Sequence, residues 1–216
     1  MKHILCYGDS NTWGYIPGKA TRWPDNIRWP GVMAKELGKE YRVLEDAVSG
    51  RTTIYEDPNL AKRCGLDNLG YSLIANAPID LLIIALGSND LKFTDAEGYR
   101  KGMLQLLYAI ENAERLYDIK GSLFAEEERI LLLGPPIIDP EIMTKRPQHM
   151  LAHAAVESKK LASVCKEIAE EKKLWYLNIS ELVLPSSVDC LHLSEKSHNI
   201  LGCAVAEKVR KIFTDQ

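Results

Sequence analysis

Ile4-Leu-Cys-Tyr-Gly-Asp-Ser-Asn-Thr-Trp-Gly-Tyr15 opens as an apolar run, stops at Gly8, and sets Asp9, Ser10 and Asn11 just past it. The run has the composition of a buried strand, so these three residues fall at its carboxyl end. In open α/β sheets ligands and chemistry collect at that end, which makes Ser10 a candidate nucleophile. The same grammar recurs along the chain. Strands are expected at Lys2–Tyr7, Tyr41–Val48, Asp80–Leu86, Arg129–Gly134 and Leu174–Asn178. Asp80-Leu-Leu-Ile-Ile-Ala-Leu86 is apolar almost throughout, the mark of a central strand covered on both faces.

Between the strands the apolar residues change to a helical period. Met103, Leu106, Leu107, Ile110, Ala113 and Leu116/Tyr117 form one stripe. Leu151, Ala155, Ser158, Leu161/Ala162, Cys165 and Ile168/Ala169 form a second, and Leu201, Ala204/Val205, Lys208/Val209 and Ile212 a third. A shorter helix is expected over Trp29–Leu37, with Gly38 as a left-handed stop. Strands alternating with helices predict an α/β fold: a three-layer α/β/α sandwich around a central, mostly parallel five-stranded sheet. We favour a flavodoxin-like strand order, in one domain over residues 1–216.

Composition narrows the function. Lys and Arg number 27 against 30 Asp and Glu, with no basic cluster to track phosphates, so nucleic acid is not an expected partner. The five scattered cysteines, Cys6, Cys64, Cys165, Cys190 and Cys203, include no C-x-x-C pair. That pattern suits reduced thiols in a cytoplasmic protein rather than a disulfide framework or a zinc site. The start of the chain lacks a signal-peptide pattern, and no apolar run approaches the roughly 18 residues that span a bilayer. No membrane association is expected. Three segments, 16–27, 56–70 and 135–148, read as irregular. Each follows a strand or its turn and should lie over one edge of the sheet, as a pocket wall or as plain connection.

The expected strand ends together carry a chemistry. The first delivers Asp9-Ser10-Asn11, the second Ser49-Gly50-Arg51-Thr52-Thr53, and the third Gly87-Ser88-Asn89-Asp90. Asp189-Cys190-Leu191-His192 arrives just before the last helix. Acyl transfer needs these types: a hydroxyl nucleophile, an imidazole base near pKa 6.5, a carboxylate to orient it, and donors for an oxyanion. A Gly-Asp-Ser-Asn run alone is more often a strand-ending turn whose Asp and Asn satisfy local N–H groups. The ordered set outweighs that reading.

Gly8-Asp9-Ser10-Asn11, the Gly50 turn, Gly87-x-Asn89-Asp90 and Asp189-x-x-His192 resemble the four motif blocks of the SGNH (GDSL-type) hydrolases, in order and across nearly the whole chain. The wider phrasing, Asp9-Ser-Asn-Thr-Trp-Gly14, Arg28-Trp-Pro-Gly31, Gly50-Arg-Thr-Thr53 and Leu86-Gly-Ser-Asn-Asp-Leu-Lys92, is similar to the arylesterase and acyltransferase-like branch. The resemblance implies Ser10 as nucleophile, His192 as general base and Asp189 as the carboxylate that fixes the imidazole. It implies an oxyanion hole from Ser10, Gly50 and Asn89. Trp13 and Tyr15, with Asn11, are implied as substrate-binding. Asn11 departs from the leucine common in relatives, and Ser88 from threonine, which bears on substrate choice. The implied function is a serine esterase acting on short acyl esters, acetyl foremost, through an acyl-enzyme on Ser10, with possible acyl transfer to alcohols. A homo-oligomer is implied too, and neither metal nor cofactor is called for.

Other motifs fall away. His149 and His153 lack the glutamate of a zinc-binding H-E-x-x-H helix, and His3 and His198 are given no role. Gly14–Ala20 is one residue short of a phosphate loop and ends without Ser or Thr. Thr12 replaces the last glycine of a G-x-S-x-G elbow, against the α/β-hydrolase fold. Arg22, Arg28 and Arg51 are read either as orienting a polar substrate or as ion-paired. The alternative functions are a catalytically idle SGNH-like domain and a flavodoxin-like binding module that uses Asp9 as an acceptor.

Overall fold

Five strands form the centre of the computed structural model, which describes residues 1–214; the last two residues of the expected 1–216 domain lie outside the described residues. They are β1 (Lys2–Gly8), β2 (Tyr41–Ala47), β3 (Leu81–Ala85), β4 (Ile130–Gly134) and β5 (Trp175–Asn178). All neighbouring pairs are parallel, in the order β2-β1-β3-β4-β5. The expected α/β class and the flavodoxin-like order both hold, and the sheet is parallel throughout.

Alternation along the strands divides the core. Leu5, Tyr7, Leu82, Ile84, Ile130 and Leu132 face one way. They pack against α3 (Gly65–Asn76), α4 (Ala96–Glu111) and α7 (Ala155–Lys172). Ile4, Cys6, Leu81, Ile83, Leu131 and Leu133 face the other way, under α2 (Trp29–Leu37) and α8 (Glu195–Thr214). Successive residues of a strand point to opposite faces, so a run apolar at every position needs helices on both sides. Each side chain moved fully from water to this interior contributes about 1.5–3 kcal/mol.

Several local expectations are corrected. Segment 56–70 is not irregular throughout, because α3 begins at Gly65. Its start carries no side-chain cap at Cys64, and Gly65 and Gly70 are poor helix formers. Both are required by close packing: a Cβ at Gly65 would lie 2.5 Å from Thr52 O, and one at Gly70 would lie 2.5 Å from the Tyr117 ring. The stripe from Met103 to Tyr117 is two helices, α4 and α5 (Ala113–Leu116), separated at Asn112. Segment 135–148 contains the single turn α6 (Ile142–Lys145). Leu151 precedes α7 rather than starting it, with a 3₁₀ turn at Ala152–Ala154 between them. Gly38 has positive φ but extended ψ (79°, −171°), so it ends α2 outside the left-handed helical region.

Register then places the site. Gly8, the last residue of β1, pairs with Ala47 on one side and Ala85 on the other. The residues just beyond these three ends must therefore emerge together. The order also reverses here, since β2 lies on one side of β1 and β3 on the other. Such a switch point opens a crevice at the carboxyl edge.

Candidate active site

Ser10 begins a one-turn helix, α1 (Ser10–Trp13), capped by Asp9, whose Oδ1 accepts the Asn11 N–H at 2.9 Å. The turn closes at Gly14, in the left-handed region (φ 85°, ψ 49°), whose N–H donates to Ser10 O. Ser10 is buried to 7% exposure. Its Oγ lies 3.0 Å from His192 Nε2, and His192 Nδ1 lies 2.7 Å from Asp189 Oδ2. The other Asp189 oxygen accepts the N–H groups of Leu191 (3.1 Å) and His192 (3.0 Å). Burial pushes the Asp189 carboxyl up, but His192 and these backbone donors outweigh it and hold the group below its ordinary value. An ionised Asp189 can only accept, so Nδ1 carries the proton and Nε2 is free to take one from Ser10.

Donors for an oxyanion border the same space. Ser10, Gly50 and Asn89 line one cavity of about 270 Å³ with His192. The N–H groups of Ser10 and Gly50 donate to no backbone carbonyl among the described residues. Gly50 holds φ +86°, a conformation that side chains rarely adopt. Asn89 donates one N–H to Asp9 Oδ2 at 3.2 Å, which orients the amide and leaves its second N–H available.

Two buried clasps hold these ends in place. Asp90 is fully buried and accepts both the backbone N–H and the Oγ1 hydroxyl of Thr53, each at 2.7 Å. It joins the turn after β3, which carries Asn89, to the turn after β2, which carries Gly50. Burial raises its carboxyl to about 7 against the pull of the Thr53 donors, with the nearby Asp9 charge adding to the rise. The second clasp is Asn11. Its Oδ1 accepts the Leu193 N–H at 3.0 Å and its Nδ2 donates to Leu191 O at 3.4 Å. The residue beside Ser10 thus grips the loop that carries His192. Asn11 also lines the cavity, so the residue expected to contact substrate serves as a structural tie as well.

The aromatic residues divide. Tyr15 lines the cavity and stacks on His192, with ring centroids 4.2 Å apart at 26°. Trp13 is not among the cavity-lining residues; it backs Tyr15 at 6.4 Å and carries the Arg22 guanidinium 5.2 Å above its ring. Of the two readings of the three arginines, ion pairing holds. Arg22 and Arg28 share Glu45, and Arg51 binds Asp46 while covering Tyr7. In their place the cavity has Arg63, Lys92, Arg146 and His149. Nothing in their spacing marked them, because long-range loop placement alone brings them here. Segments 56–70 and 135–148 do wall the cavity, whereas segment 16–27 contributes no lining residue. Two groups among the described residues could hold a metal ion: Glu56, Cys64 and Asp67, and Asp139, Glu141 and Cys190. Neither includes Ser10, Asp189 or His192.

A parallel 2-1-3-4-5 sheet in a three-layer sandwich sets serine, imidazole and carboxylate in line at its carboxyl edge, and family membership with likeness to solved esterases places the chain in the class of carboxylic ester hydrolases. The sequence model of the GDSL-like lipase/acylhydrolase family matches residues 6–200, and the chain belongs to that family. A search of curated proteins returned no match. Among solved structures, the native aryl esterase of M. smegmatis is 30% identical, with a TM-score of 0.88 over 98% of this chain and 99% of that one. A carbohydrate acetylesterase of Sinorhizobium meliloti is also 30% identical, with a TM-score of 0.87 over 99% of this chain and 100% of that one. A lipase/acylhydrolase of Enterococcus faecalis, at 19% identity and a TM-score of 0.69 over 97% of each chain, shares the fold. No helix among the described residues is long and apolar enough to cross a membrane.

Proposed function

We propose that the protein hydrolyses short-chain carboxylic esters, acetyl esters foremost, through an acyl-enzyme on Ser10. One observation carries this reading: Ser10 Oγ, the His192 ring and the Asp189 carboxylate stand in an unbroken line, at 3.0 Å and 2.7 Å. His192 takes the serine proton as Oγ attacks the ester carbonyl, then returns it to the departing alcohol. In the second half-reaction His192 takes a proton from water as the water attacks the acyl carbon, then gives it to Ser10 Oγ as the acyl–Oγ bond breaks. The N–H groups of Ser10 and Gly50 and the Asn89 amide serve as donors to the oxyanion, where each is worth most in the transition state. Tyr15 and Asn11 line the substrate side. A cavity of about 270 Å³ suits a small acyl group and a modest alcohol. An alcohol occupying the place of water would accept the acyl group, which gives a transferase side activity.

The binding-module alternative needs Asp9 as an open acceptor, but both of its oxygens already accept, from Asn11 and Asn89. We further propose one catalytic domain over residues 1–216, a cytoplasmic location, which the five free cysteines favour, and a homo-oligomer. Exposed Met143 and Met150 beside the cavity segments support self-association, and sedimentation velocity measures it. The decisive experiment labels the folded protein with a serine-reactive phosphonate and maps the adduct. Modification of Ser10, absent in Ser10→Ala and weakened in His192→Ala, is expected. An unreactive Ser10 in folded protein sinks the proposal.

A further inference from the structure

The cavity beside Ser10 carries positive charge with no acidic side chain on its wall. Its lining includes Arg63, Lys92 and Arg146 and neither aspartate nor glutamate. Lys92 is neutralised from behind, since its Nζ pairs with buried Asp57 at 3.0 Å. Arg63 has no carboxylate partner among the described residues. Its Nε donates to Ser49 O at 2.9 Å and its Nη1 to Ala61 O at 3.4 Å, contacts that fix the side chain and leave its charge uncompensated. Arg146 makes neither an ion pair nor a side-chain hydrogen bond among the described residues. Five other arginines, Arg22, Arg28, Arg51, Arg100 and Arg129, each pair with a carboxylate; Arg63 and Arg146 differ from the remaining unpaired arginines in lining the cavity beside Ser10.

The two uncompensated guanidinium groups come from separate segments, 56–70 and 135–148, and both border the nucleophile's cavity. Arg63 Cδ and Lys92 Nζ lie 3.9 Å and 3.8 Å from the point a Gly50 Cβ would occupy, so both side chains pass beside the Gly50 turn. His149 adds a neutral donor. Its Nδ1 accepts the Leu151 N–H at 3.1 Å, which puts the ring proton on Nε2. Burial, then the Arg146 charge, hold that ring below its ordinary pKa.

We infer that the cavity selects esters bearing a carboxylate, with Arg63 and Arg146 as the specificity-determining residues. This rests on the ester-hydrolase reading above and names its substrate class. A planar guanidinium matches a carboxylate with two parallel N–H donors, and a neutral ester leaves both charges without a partner. The carboxylate can sit on the alcohol half, as in an acetylated hydroxy acid, or at the far end of the acyl half, as in a dicarboxylic hemiester.

The test compares kcat/KM within two matched pairs at low ionic strength. One is para-acetoxybenzoate against phenyl acetate; the other is para-nitrophenyl hydrogen glutarate against para-nitrophenyl valerate. A charged-over-neutral preference of about tenfold or more is expected in one pair, which tells the two halves apart, and it should shrink as salt is added. Arg63→Gln and Arg146→Gln should each lower that ratio, by about tenfold for the guanidinium that binds the carboxylate. Arg146→Glu should shift preference toward acetylcholine, whose alcohol half is cationic. Ratios near one in both pairs, or ratios that neither arginine variant moves, overturn the inference. Calorimetry of glutarate and benzoate with Ser10→Ala separates the two levels. Anion binding that needs Arg63 and Arg146, together with a wild-type protein that cleaves none of the four esters, would sink the esterase reading and leave the anion cavity standing. Ester cleavage without discrimination would sink the cavity assignment alone.

Discussion

His198 should make the fold acid-sensitive in a way that a single substitution removes. The ring is wholly buried, its Nδ1 accepts the Trp29 N–H at 3.3 Å, and its Nε2 has no hydrogen-bond partner among the described residues. Burial, with the Arg28 charge second, lowers its pKa from 6.5 to about 4. Between those values the unfolded chain binds a proton that the folded one refuses. Stability supplied by the neutral ring is complete above pH 6.5 and drains away as pH falls toward 4. At about 1.4 kcal/mol per pH unit, the loss reaches about 3 kcal/mol. Asp90 works in the opposite sense. Its carboxyl rises from 3.8 to about 7, so its folded-state proton adds stability below pH 3.8 that is lost as pH rises through 7. The two linkages offset each other, and the wild-type profile should be flatter than either variant's.

The assay is urea unfolding followed by tryptophan fluorescence, at several pH values from about 7.5 down to about 4. His198→Asn keeps an acceptor near the Nδ1 position and cannot titrate. Its stability relative to wild type should improve by about 3 kcal/mol across that range, whatever constant it loses to poorer packing. Asp90→Asn should move the other way and become relatively weaker as pH falls. If wild type and His198→Asn run parallel, within about 0.5 kcal/mol, the buried ring is not the acid-sensitive group and the reasoning fails.

Asn89→Ala should cost about 10²–10³ in kcat but only about 1 kcal/mol in stability, read from steady-state rates beside urea midpoints; a mild kinetic effect removes Asn89 from the oxyanion site. Gly50→Ala meets a left-handed backbone and Leu60 Cδ1 at 2.9 Å. It should lose about 1–2 kcal/mol together with activity, and full turnover would show that the Gly50 N–H is not used. Asn11→Leu strips both ties to the His192 loop and should cost about 1–3 kcal/mol, with kcat falling more than KM changes. Asn11→Asp, which keeps the acceptor for Leu193 N–H, should recover part of that loss. Leu82→Ala, in the sheet core, should destabilise by about 2–5 kcal/mol, and a loss below about 1 kcal/mol would mean the site is poorly packed.

Local chemistry explains which expectations were legible. The strands were plain because continuous apolar runs in Leu81–Ala85 and Ile130–Gly134 have one economical solution, burial on both faces. Ser10, Gly50, Asn89 and the Asp189–His192 pair were legible as candidates because each ends or follows an element in a short block of distinct residue types that resembles a family motif, and the fold gathers them around one cavity or its edge. The start of α3 was missed because its helix-weakening glycines answer to distant partners, Thr52 O and the Tyr117 ring. Asp90 was visible as a residue, but its tie to Thr53 spans 37 positions. The family resemblance implied Trp13 as a substrate-binding residue, yet it is not among the cavity-lining residues and sits at the end of α1 under the Arg22 guanidinium.

By itself, the sequence determined the elements, the class of chemistry and the residue types able to perform it, because periodicity and turn residues act over a few positions. Tertiary structure decided the rest. Parallel register brought Ser10 within 3.0 Å of an imidazole 182 positions later. The same folding paired Arg22, Arg28 and Arg51 with carboxylates while leaving Arg63 and Arg146 facing a cavity without one. An arginine's partner depends on what the fold places within a few ångströms of it, and spacing along the chain carries no record of that distance.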